Sequence, residues 1–323
     1  MTSPSLPSDL RAALDGKLDG LSRQDIAARA ALISKTYRDG GNSITIKSEV
    51  DALAYALVRM PATYAAVTAC LNALLEARPD LTPQSLLDVG AGPGTGSWAA
   101  AEAFASLRQF MLLDINAALL TLARDLSRDH PRLSAMTYRR DPAALDEVEA
   151  ADLVIASYLI GETGYAERHQ LTERLWARTR DTLLVVEPGT PAGYQRIIAL
   201  RAQLIESGAH VVAPCPHDLE CPLSKPDWCH FAQRLPRLRA HIQVKGAELP
   251  FEDEKFSYVV LSREPAPRHF SRVLAPPDVG KVEVSARLCT ADGLENAKVP
   301  RRDKPAYAKA RRWRWGEAVV DKS

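Results

Sequence analysis

The run LLDVGAGPGTGS carries Asp88, Gly90, Gly92, Gly94 and Gly96 directly behind a short apolar segment and ahead of SWAAAEAFASL. A strand-to-helix turn without side chains lets backbone amides approach a ligand, and the helix N-terminus favours negative or electron-rich groups. The next apolar run ends at Asp114, 20 residues beyond Gly94, where a carboxylate can hydrogen-bond the two hydroxyls of a ribose. Together these features point to a nucleoside cofactor, leaving nicotinamide and S-adenosylmethionine as the choice. A second chemistry is carried by cysteine. In VVAPCPHDLECPLSKPDWCHFAQRL, five residues separate Cys215 from Cys221 and seven separate Cys221 from Cys229, and Cys289 follows after a further 59. Four soft thiolates complete a tetrahedral zinc site or hold a [4Fe-4S] cluster. The short chelating pair usual for zinc is missing. Wide spacing beside Pro and aromatic residues favours the bulkier cluster, although His217 and His230 are potential zinc ligands.

Between Lys298 and Arg314, eight Lys or Arg side chains face one acid, Asp303, a local charge of +7. Arg301, Arg302, Lys309, Arg311, Arg312 and Arg314 are the candidate phosphate contacts, with Tyr307, Trp313 and Trp315 interleaved. Basic residues release counterions from phosphates and aromatic faces stack on unpaired bases, which suits structured RNA. No catalytic residue can be assigned. The fourth apolar run ends in IASYLIGE rather than in the Asn/Asp-Pro-Pro-aromatic motif that seats an exocyclic amine for methylation, and Tyr158, Glu162 and Glu187 serve equally as caps or packing residues.

Up to residue 80 the apolar spacing is helical, with [ST]-x-x-[DE] caps at Ser22/Asp25 and Ser48/Asp51, and Pro61 should open a further helix containing a buried Cys70. From Ser85 to about Ser207, the runs SLLDVG, FMLLDI, LSAMTY, DLVIASYLI and TLLVVEP alternate with helical stretches, the signature of a doubly wound, mostly parallel α/β sheet. FSYVVLSR should return to the edge of that sheet, and the last 55 or so residues should form a small β-rich appendage. The expected organisation is a helical extension over residues 1–80, an α/β domain over 81–265 with a Cys-rich insertion at 208–235, and a basic β-rich region over 266–323.

Composition excludes other classes. With 46% hydrophobic and 25% charged residues and a net charge of +1, the 323-residue chain is neither disordered nor a global polycation. The longest stretch free of charged residues, Met60 to Leu75, is too short to span a membrane. Asp9, Asp15 and Asp19 near the start argue against an organelle transit peptide, so a reducing cytoplasm is expected.

The D-V-G-x-G-x-G form of the glycine loop resembles the first motif of class I S-adenosylmethionine methyltransferases more than a dinucleotide fingerprint, whose third glycine is replaced here by Thr95. More specifically, YALVRMPATYAAV (55–67), VVEPGTPAGYQRI (185–197), the cysteine segment and LCTADG…VPRRDKPAYAKARRWRWGE resemble the methyltransferase-like proteins associated with the mitochondrial small ribosomal subunit and their bacterial relatives. The resemblance covers nearly the whole chain. It implies a class I methyltransferase fold that binds S-adenosylmethionine and carries a [4Fe-4S] cluster on Cys215, Cys221, Cys229 and Cys289. It also implies action on small-subunit ribosomal RNA, as a methyltransferase or as an assembly and translation factor, by a bacterial-type cytoplasmic member. Neither DNA nor membrane is expected as a partner, and the free protein should be a monomer. The alternatives are a non-catalytic RNA-binding assembly factor and a zinc-containing methyltransferase of small molecules.

Overall fold

The structure is a computed structural model that describes residues 1–237, 249–268 and 270–320. Five strands, β1 (Ser85–Val89), β2 (Gln109–Leu113), β3 (Thr137–Arg139), β4 (Ala151–Ser157) and β5 (Thr179–Pro188), pair in parallel. They are joined by β8 (Phe251–Ser262), antiparallel to β5, which also pairs with β6 (His210–Ala213) and β7 (Phe231–Pro236). The strand order is β3-β2-β1-β4-β5-β8-β6, with β7 beside β8. This is the class I methyltransferase-like α/β fold expected from the sequence.

Because strand side chains alternate between faces, Leu86, Leu112, Leu153, Leu184 and Val186 enter one core, and Leu87, Leu113, Val154, Leu183 and Val185 enter the other. The first core is covered by α1 (Ser8–Gly16), α2 (Arg23–Arg38), α3 (Glu49–Ala77), α4 (Thr95–Ala103) and α5 (Ala117–Leu126). The second is covered by α6 (Arg168–Ala177) and α7 (Pro191–Glu206).

Two expectations change. Pro61 does not begin a helix; it lies inside the 29-residue α3, which starts at a capping box where the Asp51 amide donates to Ser48 Oγ (3.1 Å) and the Ser48 amide to Asp51 Oδ2 (3.0 Å). An interior proline costs roughly 3 kcal/mol. Leu57, Met60, Pro61 and Tyr64 are all buried around it, and burying each large apolar side chain returns about 1.5–3 kcal/mol. Nor is FSYVVLSR an edge strand. As part of β8 it runs inside the sheet, between β5 and β6, and residues 256–262 are all buried because α3 and α7 pack on it.

A second, antiparallel sheet has the order β10-β11-β9-β13, with β12 paired to β11. Its strands are β9 (Phe270–Val273), β10 (Asp278–Val279), β11 (Glu283–Thr290), β12 (Gly293–Pro300) and β13 (Ala318–Val320), and α8 (Lys304–Ala310) lies between the last two. Its small core is Val273, Ala286, Leu288 and Ala297, with Trp313 and Val319 packed on it. Among the described residues no helix is long and apolar enough to cross a membrane.

Candidate cofactor and cysteine sites

The glycine loop between β1 and α4 is held by the strand next to it: the Gly90 and Ala91 amides donate to Leu113 O at 2.8 and 3.0 Å. Gly90 has φ +68°, and a Cβ there would meet Leu159 Cδ1 at 2.8 Å, so both backbone sign and space require glycine. Gly94, at φ +81°, is the N-cap of α4.

Asp88 is fully buried beneath the loop, where its Oδ2 accepts from the Ser97 amide and the Ser97 hydroxyl, both at 2.8 Å. Burial pushes its carboxyl up to about 6. A Cβ on Gly96 would lie 2.9 Å from the same oxygen, so Asp88 braces the start of α4.

Gly90, Gly92 and Asp114 line a cavity of about 530 Å³ at the C-terminal ends of β1, β2 and β4. Ligands of open α/β sheets bind at such strand ends. Asp114 accepts from the Gly92 amide through Oδ2 (2.7 Å) and from the Asn116 amide through Oδ1 (2.8 Å). Each oxygen keeps a lone pair for a further donor. Burial raises the carboxyl above its ordinary range.

Sequence reasoning missed the far wall of this cavity, built by Tyr37, Asn42, Ser43 and Tyr55 from the N-terminal helices and their connection. Asn116, the N-cap of α5, ties that connection down: its Oδ1 accepts from the Leu119 amide (3.1 Å), while Nδ2 donates to Ser43 O (2.8 Å) and Ile46 O (2.9 Å). The Ser43 amide in turn donates to Glu162 Oε2 at 3.2 Å. In the sequence, Gly40-Gly41 marks a break between two helices and gives no sign that the segment after it reaches the cavity.

The other residues noted at strand ends have partners. The Tyr158 hydroxyl donates to Glu254 Oε1 at 2.7 Å, with Arg59 over its ring, and its φ of +59° is unusual for a side chain of that size. Glu187 is buried and receives Arg196 Nε at 2.5 Å.

Cys215, Cys221, Cys229 and Cys289 all line one small void of about 30 Å³. Three come from the segment between β6 and β7, and the fourth from β11 of the second sheet, where it pairs in register with Arg272 of β9. All four thiols are free. Tyr194 OH lies 3.2 Å from Cys221 Sγ, and His217 Nε2 3.5 Å from Cys289 Sγ. Burial pushes Cys215 up, Cys229 well up and Cys289 to about 12. Among the described residues no three His, Cys, Asp or Glu side chains close around a point that could hold one metal ion.

Two guanidinium groups line the same void. Arg201 and Arg272 are only 3% and 2% exposed. Arg201 donates to His217 O (2.8 Å), and Arg272 to Pro214 O (2.9 Å) and Gly316 O (2.8 Å). Arg201 Nε, also buried, has no acceptor. Buried cations are normally neutralised by an anion, and these two face the thiols. Cys70 lies apart, in the core of α3.

The basic segment is folded. Asp303 caps α8, the Tyr307 hydroxyl donates to Gly280 O, and Ala310 is fully buried. Trp313 packs on the second sheet's core, while Trp315 meets His230 edge-on at 4.9 Å, and Trp228 stacks on the same histidine at 5.0 Å. Arg301, Arg302, Lys309, Arg311, Arg312 and Arg314 are exposed.

Residues 49–320 match the family described as mitochondrial small ribosomal subunit Rsm22. The chain belongs to the Rsm22 family. It is 29% identical over 289 residues to the human "Ribosome assembly protein METTL17, mitochondrial", covering 83% of this chain and 62% of that protein. It is 25% identical to the "Rsm22-cox11 tandem protein 2, mitochondrial" of Schizosaccharomyces pombe, covering 91% of this chain and 46% of that one. The chain thus spans less than two thirds of the length of either relative. Among solved structures it is similar to the magnesium protoporphyrin IX methyltransferase of Synechocystis with bound S-adenosylmethionine, with a TM-score of 0.41 at 12% identity over 76% of this chain and 99% of that one. The cytoplasmic location expected from the first 20 residues is overturned. The Rsm22 family and both curated relatives are mitochondrial by name, and the acidic residues near the start are a compositional argument that these matches outweigh.

Proposed function

We propose that this Rsm22 family member binds S-adenosylmethionine and a [4Fe-4S] cluster and acts in assembly of the small ribosomal subunit, with its basic C-terminal segment on ribosomal RNA. The observation that carries the reading is the meeting of four free thiols, three from the connection between β6 and β7 and one from the second sheet, at one void that two buried arginines also face. Four thiolates around an iron-sulfur core carry net negative charge, which Arg201 and Arg272 would offset. A single zinc needs its ligands converging at about 2.3 Å from one point. In a [4Fe-4S] cluster each thiolate instead takes its own iron. Cys215, Cys221, Cys229 and Cys289 would be the ligands.

In the cavity at the strand ends, Asp114 would hold the ribose hydroxyls while Gly90 and Gly92 leave the backbone bare for close approach. When bound, S-adenosylmethionine supplies a transferable methyl group. Tyr37 and Tyr55 would cover the cofactor from the N-terminal side, and Asn116 holds the strap that carries Ser43. The exposed guanidinium and ammonium groups from Arg301 to Arg314 would meet phosphates.

The test is rescue of cells lacking this protein by wild type or by Asp114→Ala, scoring small-subunit assembly and the methyl groups of its RNA. The reading expects the variant to lose cofactor binding and to fail in assembly. Full rescue by a variant shown not to bind the cofactor would remove the cofactor from the account. A methyl group missing from the RNA in both the deletion and the variant assigns methyl transfer; failed assembly with every methyl group present assigns a cofactor-dependent assembly role.

A further inference from the structure

A second large cavity, about 450 Å³, lies away from the glycine loop, between the C-terminal half of α3, strands β7 and β8, and residues 312–317. It is separated from Tyr55 of the cofactor cavity by the 14 residues to Ala69, about 21 Å along α3. Its volume falls within the roughly 300–1,000 Å³ typical of small-ligand pockets. Ala69 and Ala73 of α3 and Phe231 of β7 make an apolar floor, Gln233, whose Nε2 donates to Arg234 O at 2.9 Å, offers its amide oxygen as an acceptor, and Trp315 forms one wall.

Arg312 and Arg314 line its rim and are exposed, and among the described residues no ion pair engages either guanidinium. The carboxylate nearest in sequence, Glu317, accepts the Arg314 backbone amide at 2.8 Å and so braces the turn. Of the three aromatic residues in the basic segment, Tyr307 and Trp313 are committed to the second sheet, by a hydrogen bond to Gly280 and by packing. Trp315 alone of the three lines this groove.

We propose that the groove is a binding site for one unstacked nucleotide of single-stranded RNA, its base against Trp315 and its flanking phosphates on Arg312 and Arg314. This rests on the RNA reading above and narrows it: the segment recognises a splayed base rather than a duplex. An aromatic wall with cations at its mouth is the combination used for unpaired bases, whose faces a duplex hides. Arg272 lines both this groove and the cysteine void and donates to Gly316 O beside Trp315, so the groove's wall is built on the same frame as the cysteine site.

The test is a fluorescence titration of the full chain with a single-stranded hexaribonucleotide and with a duplex of the same sequence, over a series of salt concentrations. The probe should quench tryptophan emission, and the quench should vanish in Trp315→Phe. Ala69→Phe, which fills the groove from α3 without changing charge, should weaken single-strand binding about tenfold or more, the scale of one lost stacking contact. Its salt slope and its duplex binding should stay as in wild type. A folded Ala69→Phe that binds and quenches like wild type overturns the groove; should that variant not fold, an RNA-bound wild type with no Trp315-dependent quench overturns it instead. The triple variant Arg311→Gln, Arg312→Gln, Arg314→Gln separates the two levels. If it lowers affinity and salt slope while Ala69→Phe changes nothing, RNA contact stands and the groove falls; if it too changes nothing, the RNA reading falls.

Discussion

Asn116 gives the sharpest handle on how the N-terminal helices shape the cofactor cavity. Its side chain caps α5 through Oδ1 and holds the strap through Nδ2, with donations to Ser43 O and Ile46 O at 2.8 and 2.9 Å. Asn116→Asp separates the two roles, because Asp is as good an N-cap as Asn but offers no donor to the strap. Two buried hydrogen bonds are lost and two carbonyls are left facing a carboxylate. At about 1–2 kcal/mol for each, the strap loses roughly 2–4 kcal/mol. If exchange at its amides proceeds through local opening, protection falls by a factor of about 30 to 1,000. Hydrogen exchange followed by mass spectrometry of peptides covering residues 42–46 measures this directly. Protection of α5 should be retained, since the Leu119 amide keeps its acceptor. The affinity for S-adenosylmethionine should fall with the strap, because Asn42 and Ser43 line the cavity. Exchange at 42–46 within about threefold of wild type would refute the claim that Asn116 holds the wall.

Two further outcomes follow from buried charge. Asp88 is fully buried with its carboxyl raised to about 6 by burial, so the folded state keeps that proton over a range in which the unfolded chain has released it. Stability carried by this group is therefore present below the unfolded value near 3.9 and is lost as pH rises through about 6, on the order of 3 kcal/mol in all. In urea denaturation, Asp88→Asn should accordingly gain on wild type between pH 4 and pH 7, and a difference independent of pH would contradict it. Arg201 is the cation with an unsatisfied Nε at the cysteine void. Arg201→Leu should bind iron less firmly and shift the potential of any remaining cluster to more negative values, since the reduced form carries the extra electron. Arg201→Lys should recover part of both. Iron retention and potential equal to wild type in the leucine variant would show that this charge does not face the cluster.

Local patterns made much of the fold legible. Four of the five apolar runs became β1, β2, β4 and β5 because each carries a largely buried pattern, whereas of LSAMTY only the end enters the short, exposed β3 and Leu133–Ala135 forms a 3-10 turn; the glycine loop declared itself through positions that tolerate no side chain, Gly90 above all. What failed depended on distant partners. Pro61 reads as a helix start, yet residues buried against α3 from other elements carry the helix straight through it. FSYVVLSR looks like an edge because nothing local shows that β6 and β7 will pair with the same strand. The same holds at the candidate sites. The spacing of Cys215, Cys221 and Cys229 marks them as a set, but no local signal shows that Arg201 and Arg272 will face them from α7 and β9. Tyr37, Asn42 and Ser43 reach the cofactor cavity only because Asn116 and Glu162, far along the chain, hold their segment. The aromatic residues of the basic segment read as three equivalent stacking faces, whereas folding spends two of them on the second sheet and leaves Trp315 at the groove.

The central claim is that Cys215, Cys221, Cys229 and Cys289 form one iron-sulfur site that joins the two sheets. Anaerobic purification of the full chain, with iron, sulfide and zinc quantified per chain and absorption recorded, tests it most directly. The account predicts about four iron and four sulfide with visible charge-transfer absorption, all lost on Cys289→Ser although that residue lies on the second sheet. A colourless protein holding one zinc per chain after anaerobic work would contradict it.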